Sequence, residues 1–343
     1  MGFDELAART TALSTAAARG PDGPPCRPRR QTAPILTAPS PALTVVGSAN
    51  MDLVAQVASA PRRGETIAGR SFTTVPGGKG ANQAIAAARS GSAVSMIGAV
   101  GDDAFGAGLR EALTASGVEV TGLRTAATPT GTAHIVVDDE GGNAIVVVPG
   151  ANATVTALTE DDERRIAQAQ ALLLQLETPL EGVLSAARAA HAHGVRTVLT
   201  PAPVPVEPLP DELLGLIDLL VPNEHEAAAL SGKADPHEAA AALLERVPEV
   251  VVTLGAAGSL YAARGAEPVT VPAVRVRAVD TTAAGDTFVG ALCTAYAEGR
   301  TVPEAMAWAS AASALAVQRP GASSSMPDRT EITQFATKEV PAS

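Results

Sequence analysis

The sequence predicts an α/β fold: a parallel-rich central sheet flanked by helices in three layers, with a small separate β-sheet. Three observations carry this. The apolar run Leu43 to Ser48 ends in small residues and fits a buried parallel strand. From about residue 155, short apolar strands alternate regularly with helical periods, the pattern of a sheet sandwiched between helices. Before that point, alternating stretches at about 53–75 and 131–148 read as hairpins that form a separate small sheet.

Composition narrows the classes. A chain of 343 residues, 46% hydrophobic and 18% charged, can bury a large core, and an aromatic share of 2% makes that core aliphatic. The formal net charge of -11 argues against a nucleic-acid partner, which would need a basic face. No apolar run is long enough to span a membrane, and Asp4, Glu5 and Arg9 stand where a signal peptide needs an apolar core. Cys26 and Cys293 cannot make a disulfide framework, so the expected setting is the cytoplasm.

In chain order, residues 1–41 are rich in Pro, Ser and Ala and read as a disordered leader, with 42–338 as the folded domain. Asn50 and Asp52 follow the first strand, two apart, and so share a face of extended chain. They read either as a polar turn or as groups aimed at one ligand. Pro76 to Gln83 then opens an Ala-rich helix that runs to about Ser90. Its glycines permit close backbone approach, although the spacing is not that of a P-loop. A tight turn with a solvated Lys79 is the other reading.

A strand at 94–97 and a helix at 105–116 follow. Gly98 to Gly101 is no dinucleotide fingerprint, because Asp102 and Asp103 occupy the turn where a pyrophosphate needs neutral donors. Further strands are expected at 171–175, 196–199, 217–221, 250–253 and 268–271. Helices are expected near 160–169, 180–193, 224–231, 237–246, 287–298 and 303–317, the last opened by a Thr301 to Glu304 capping box. Asn50, Asp52, Glu177, Asn223 and Asp280 each fall just after an expected strand. Ligands of parallel sheets bind beyond those carboxyl ends. The five histidines show no metal-ligand spacing with the cysteines, and no serine sits in a Gly-x-Ser-x-Gly elbow.

The stretch Val279 to Phe288 reads as a strand end passing through a glycine turn into a helix. Free N–H groups of Ala283, Ala284 and Gly285, helped by the helix dipole, suit an anion. Asp286 in the first turn is either a helix cap or a base beside that cradle, which hydroxyl-to-phosphate transfer requires.

Gly77 to Gln83 and Asp280 to Phe288, with Asn223-Glu-His-Glu226 and Thr253 to Gly258 between them, resemble the signatures of the ribokinase family of ATP-dependent sugar and nucleoside kinases. The resemblance runs from about Val45 to about Phe335 and implies the following roles. Asp286 takes the proton of a D-ribose 5-hydroxyl, with Ala283, Ala284 and Gly285 as anion hole. Asn50, Asp52, Gly78, Lys79, Gly80, Ala81, Asn82 and Glu177 bind the sugar. Thr253, Leu254, Gly255, Ala256, Ala257, Gly258 and Ser310 line ATP. Asn223 lies beside the phosphates, and Glu226 acts through water on Mg²⁺. Asp280, Thr282, Ala316, Arg319, Gly321 and Ser325 match a K⁺ site. The hairpins match a lid that pairs two subunits into a homodimer. Val289, Ser310 and His134 depart from the family pattern, and His134 puts the sugar preference in question. The alternatives are a kinase for 2-deoxyribose, a nucleoside or a ketohexose, and a non-catalytic sugar-sensing regulator. A nicotinamide-dependent dehydrogenase lacks its glycine fingerprint.

Overall fold

The computed structural model describes residue 40 and residues 42–339. The expected leader, including Cys26, otherwise lies outside the described residues. β1 (Ala42–Val46) leads into β2 (Asn50–Gln56) and β3 (Ser71–Gly77), then α1 (Lys79–Ser90), β4 (Ala93–Gly101) and α2 (Ala104–Ala115). Two short strands, β5 (Val118–Glu119) and β6 (Leu123–Ala126), precede β7 (Gly131–Val137) and β8 (Asn143–Val148). The regular half follows as α3 (Glu160–Ala167), β9 (Ala171–Leu174), α4 (Leu180–Ala192), β10 (Arg196–Leu199), α5 (Asp211–Leu214) and β11 (Leu219–Leu220). It continues through α6 (Glu224–Ser231), α7 (Pro236–Leu243), β12 (Glu249–Thr253), β13 (Ser259–Ala263) and β14 (Val269–Val271). The chain closes with α8 (Ala284–Ala297), α9 (Val302–Ala316) and α10 (Arg329–Glu339).

The main sheet runs β14-β13-β12-β11-β10-β9-β1-β4-β5, with β6 paired to β4. It is parallel from β12 to β5, because helices return each strand to the same edge. Side chains alternate across it. Leu173 of β9 packs with α1, α8 and α9 on one face, while Leu172 and Leu174 pack with α3 and α4 on the other. Both faces are therefore dry, and each fully buried leucine contributes roughly 1.5–3 kcal/mol of transfer free energy.

The structure corrects the sequence reading at the sheet edge. Residues 268–271 are not another parallel strand: β12 turns back directly into β13 and then β14, both antiparallel. Gly258 makes that reversal at φ 106°, and no helix intervenes to carry the chain across the sheet. Val279 and Asp280 are likewise not a strand end. The chain from Pro272 to Ala283 is irregular, pinned where the Val279 and Asp280 N–H groups donate to Val317 O at 2.7 and 3.1 Å. The short β5, β6 and α5 and the terminal α10 carry too little pattern to have been expected.

The lid is a four-stranded sheet ordered β3-β2-β7-β8, with β2 and β7 parallel at its centre. Asn50 lies inside β2, opposite Gly77 and Gly131, so the lid begins three residues earlier than the hairpin pattern suggests. The register sets Asp52 beside Val75 and Ala133, whereas His134 shares the opposite face with Leu53. His134 therefore points away from the Asp52 side.

Candidate active site

Two helix N-termini meet over the end of β1. α1 is brought close by glycine. A Cβ on Gly80 would stand 2.6 Å from Ser48 N and 2.7 Å from Gly47 C, and Gly78 sits at φ 90° with backbone equally near. The approach lets Ala81 N–H donate to Ser48 O at 2.9 Å. Glu177, from the loop after β9, closes the same junction. Its Oε2 accepts from Ser48 Oγ–H at 2.5 Å and Lys79 N–H at 2.9 Å.

α8 enters from the other side. Its N-cap Ala283 has φ 56°, the one non-glycine left-handed residue among the described residues. Such a conformation costs an alanine about 1 kcal/mol. It turns the irregular segment abruptly into the helix, leaving the first-turn N–H groups of Gly285 and Asp286 without a backbone acceptor among the described residues. Ala284 N–H, one of the three expected to face an anion, is partly engaged, donating to Thr281 O at 3.2 Å.

Asp286 lies buried between the two helices. Its Oδ1 accepts from Gln83 Nε2 at 3.1 Å and its Oδ2 from Asn82 Nδ2 at 3.2 Å. Burial pushes the Asp286 carboxyl above the usual carboxylate range, while Lys79 and the two amides pull against it. Asp52 is pushed up to about 7, first by burial and then by the charges of Glu177 and Asp286. Burial disfavours the Lys79 cation, yet Asp286, Glu177, Glu226 and Asp52 together hold its pKa above the ordinary lysine value. One lysine thus faces four acids.

Asn50 Oδ1 accepts from Asn152 Nδ2 at 2.7 Å, and Asn152 also clamps Ala49 N–H and Ala49 O at 3.0 and 3.2 Å. Gly131 leaves room for this pair, since a Cβ there would meet both side chains. Sequence reasoning missed Asn152 as well as Gln83's contact with Asp286. Asn152's only signal is a Pro-Gly turn after the lid.

Beyond the cradle opens a cavity of about 670 Å³, lined in part by Thr253, Gly255, Gly258, Gly285, Phe288 and Ser310. Leu254 and Ala257 do not line it: Leu254 packs against the core and Ala257 faces solvent in the Gly255–Ala257 turn. Ala256 does line it. The irregular segment 273–278, with Arg275, forms a wall that the sequence did not reveal. Val289 is simply core, 2% exposed.

Asn223 and Glu226 form a capping box for α6: Asn223 Oδ1 accepts from Glu226 N–H at 2.8 Å and Glu226 Oε2 from Asn223 N–H at 2.9 Å. Burial raises the Glu226 carboxyl, against the pull of Asn223 N–H and Lys79. Asn223 bridges to Thr253, one of the residues lining the cavity. Asp280 ties two loops together, accepting from Thr282 N–H and Oγ–H at 2.9 and 2.6 Å and from Gly321 N–H at 2.8 Å. Burial alone would raise its carboxyl, but these bonds outweigh it and hold it low. Arg319 pairs with Glu331, and Ser325 Oγ–H donates to Ala322 O at 2.7 Å.

The family described as pfkB family carbohydrate kinase matches residues 40–329. The chain is 42% identical over 311 residues to the ribokinase of Schizosaccharomyces pombe, covering 84% of this chain and 96% of that one. It is 42% identical over 295 residues to the ribokinase of Bacillus subtilis, covering 85% and 98%. The solved structure of Arabidopsis thaliana ribokinase complexed with ribose and ATP superposes with a TM-score of 0.82 at 35% identity, over 87% of this chain and 99% of that one.

Proposed function

The chain belongs to the pfkB family of carbohydrate kinases, and from that premise we propose that it phosphorylates D-ribose on the 5-hydroxyl with ATP as donor. One observation carries the reading: the Asp286 carboxylate is held by Asn82 and Gln83 between the sugar-side groups and the N-terminus of α8, beside a nucleotide-sized cavity. Asp52 and Asn82 supply matched acceptors and donors for sugar hydroxyls. Asp286 accepts the proton of the attacking hydroxyl, which leaves late in a loose transition state, so a modest base suffices. The N–H groups of Gly285 and Asp286 hold the transferring phosphoryl group, and positioning supplies most of the rate. Thr253, Gly255, Ala256, Gly258 and Ser310 flank the adenosine.

Glu226 keeps an oxygen outside its capping bond, which fits an outer, water-mediated hold on Mg²⁺, the ion that neutralises phosphate charge. The carbonyl oxygens of Asp280, Thr282, Arg319 and Gly321 accept no hydrogen bond among the described residues. That all-oxygen set suits a K⁺ ion, which would brace the loop before α8. Edge strand β8 exposes Ile145, Val146, Val147 and Val148, and β3 exposes Phe72 at 63%. An apolar strand edge of this kind is unfavourable in water, and we assign it to a homodimer through the lids. We place the reaction in the cytoplasm, where the free Cys293 thiol stays reduced.

Because His134 faces away from Asp52, it gives no reason to prefer another sugar. Coupled ADP release with D-ribose, 2-deoxyribose, adenosine and fructose, with and without K⁺, tests the assignment. Preference for another acceptor replaces D-ribose, and release with none supports the sugar-sensing alternative.

A further inference from the structure

We propose that Gln83 and Gln175 form a directional amide relay that fixes the orientation and the ionisation of the Asp286 carboxylate, making both positioning residues for phosphoryl transfer. The inference rests on the reading of Asp286 as the base.

Gln83 and Gln175 are both fully buried, and a buried amide is unfavourable unless it is hydrogen-bonded. Gln83 Nε2 lies 3.1 Å from Asp286 Oδ1 and 3.3 Å from Thr200 Oγ1, and Gln175 Nε2 lies 2.7 Å from Gln83 Oε1. The direction follows from valence. An ionised carboxylate only accepts, so Gln83 must turn its NH₂ toward Asp286 and its oxygen away. That oxygen then demands a donor, which obliges Gln175 to turn its own NH₂ inward. Gln175 Oε1 is the group left over. It is buried without a partner among the described residues, in the space a Cβ on Gly47 would fill at 2.0 Å. An unpaired buried acceptor is destabilising, and the chain concentrates that strain one residue behind the base. A pair serving the core alone would be better replaced by methionine or leucine.

The relay also bears on charge. Asp286 is faced by Lys79, Asn82 and Gln83 from α1, by Glu177 from the loop after β9, and by Asp52 from β2. Burial raises its carboxyl, and the Gln83 donor is one of the forces opposing that rise. Without it the carboxyl moves further up, and the acid limb of kcat/KM shifts to higher pH.

The test compares Gln83→Met, Gln175→Met and the double variant in the intact enzyme, each checked for folding by circular dichroism and for ribose binding by calorimetry. The expected result for Gln83→Met is ribose affinity within a few-fold of wild type and a kcat about tenfold lower, roughly one hydrogen bond to a charged group. Its acid limb moves to higher pH. Gln175→Met moves the limb the same way by less, and adds nothing in the Gln83→Met background, because it acts only through Gln83. Should Gln83→Met not fold, Gln175→Met alone decides, since it leaves every atom touching Asp286 in place. An unmoved acid limb, or additive effects in the double variant, overturns the relay. Wild-type enzyme that releases no ADP with any sugar overturns the kinase reading instead, so the two failures are separate.

Discussion

Asn82 in the first turn of α1 and Asp286 in the first turn of α8 are joined by a buried hydrogen bond of 3.2 Å across 204 residues of chain. The two motifs, Gly77 to Gln83 and Asp280 to Phe288, therefore meet in one place, and the predictions below follow from that contact and its surroundings.

Asp286→Asn retains the shape of the site but keeps an acceptor for only one of its two amide donors, and it cannot take up a proton. Ribose affinity measured by calorimetry stays within a few-fold, while turnover falls by roughly 10²-fold or more. Turnover near wild type would remove Asp286 from its role.

Asp52 titrates within the working range, because its pKa is raised from 3.8 to about 7. The folded chain keeps this proton at pH values where the unfolded chain has lost it. Stability of the ligand-free protein therefore falls as pH rises from about 4 through about 7. Sugar hydroxyls donate better to the ionised form, so KM for ribose falls over the upper part of the same window. Asp52→Asn flattens the melting temperature against pH and weakens ribose binding; an unchanged slope would contradict this.

Gly80→Ala and Gly285→Ala separate packing from ligand contact. The first places a methyl group 2.6 Å from Ser48 N and should cost about 1–3 kcal/mol in urea denaturation. The second meets nothing within 4 Å, so it melts as wild type, and any loss of activity reports on the bound phosphate.

Asp280→Ala removes the acceptor that joins Thr282 to Gly321. The protein should stay folded, since the Asp280 carboxylate bonds only the loop residues Thr282 and Gly321, while the ratio of activity in KCl to that in LiCl falls toward one. A ratio that persists would place cation activation elsewhere.

Val146→Asp alters a side chain 64% exposed in the single chain, so the monomer's own stability should hardly change. Sedimentation should show a dimer for wild type and a monomer for the variant. A dimer that survives the substitution would move the interface away from β8.

Some of this was legible in the sequence because it is local. The glycines of 77–80 permit close backbone approach, one of the two readings the sequence left open, and the structure puts them against Ser48 and Asp52. The capping box at Thr301 is likewise short-range chemistry, and so is the one at Asn223, which was not expected from the sequence. Asn152, Gln83's bond to Asp286, and the wall at 273–278 were not legible. Each depends on partners far away in sequence, and nothing in an isolated Asn, Gln or irregular loop says what it will face. The expected strand before Asp280 failed for the same reason: its chain direction is set by Val317, which approaches from the end of α9.

By itself the sequence determined the layers, the two glycine-bearing turns and the residue types of the site, since periodicity and backbone freedom are properties of neighbouring residues. Only the tertiary structure decided which acid is buried and held by two amides, which acid titrates near neutrality, and which asparagine orients another. Those outcomes depend on burial and on charges brought together from separate elements, and free energies of that kind exist only once the chain has closed around them.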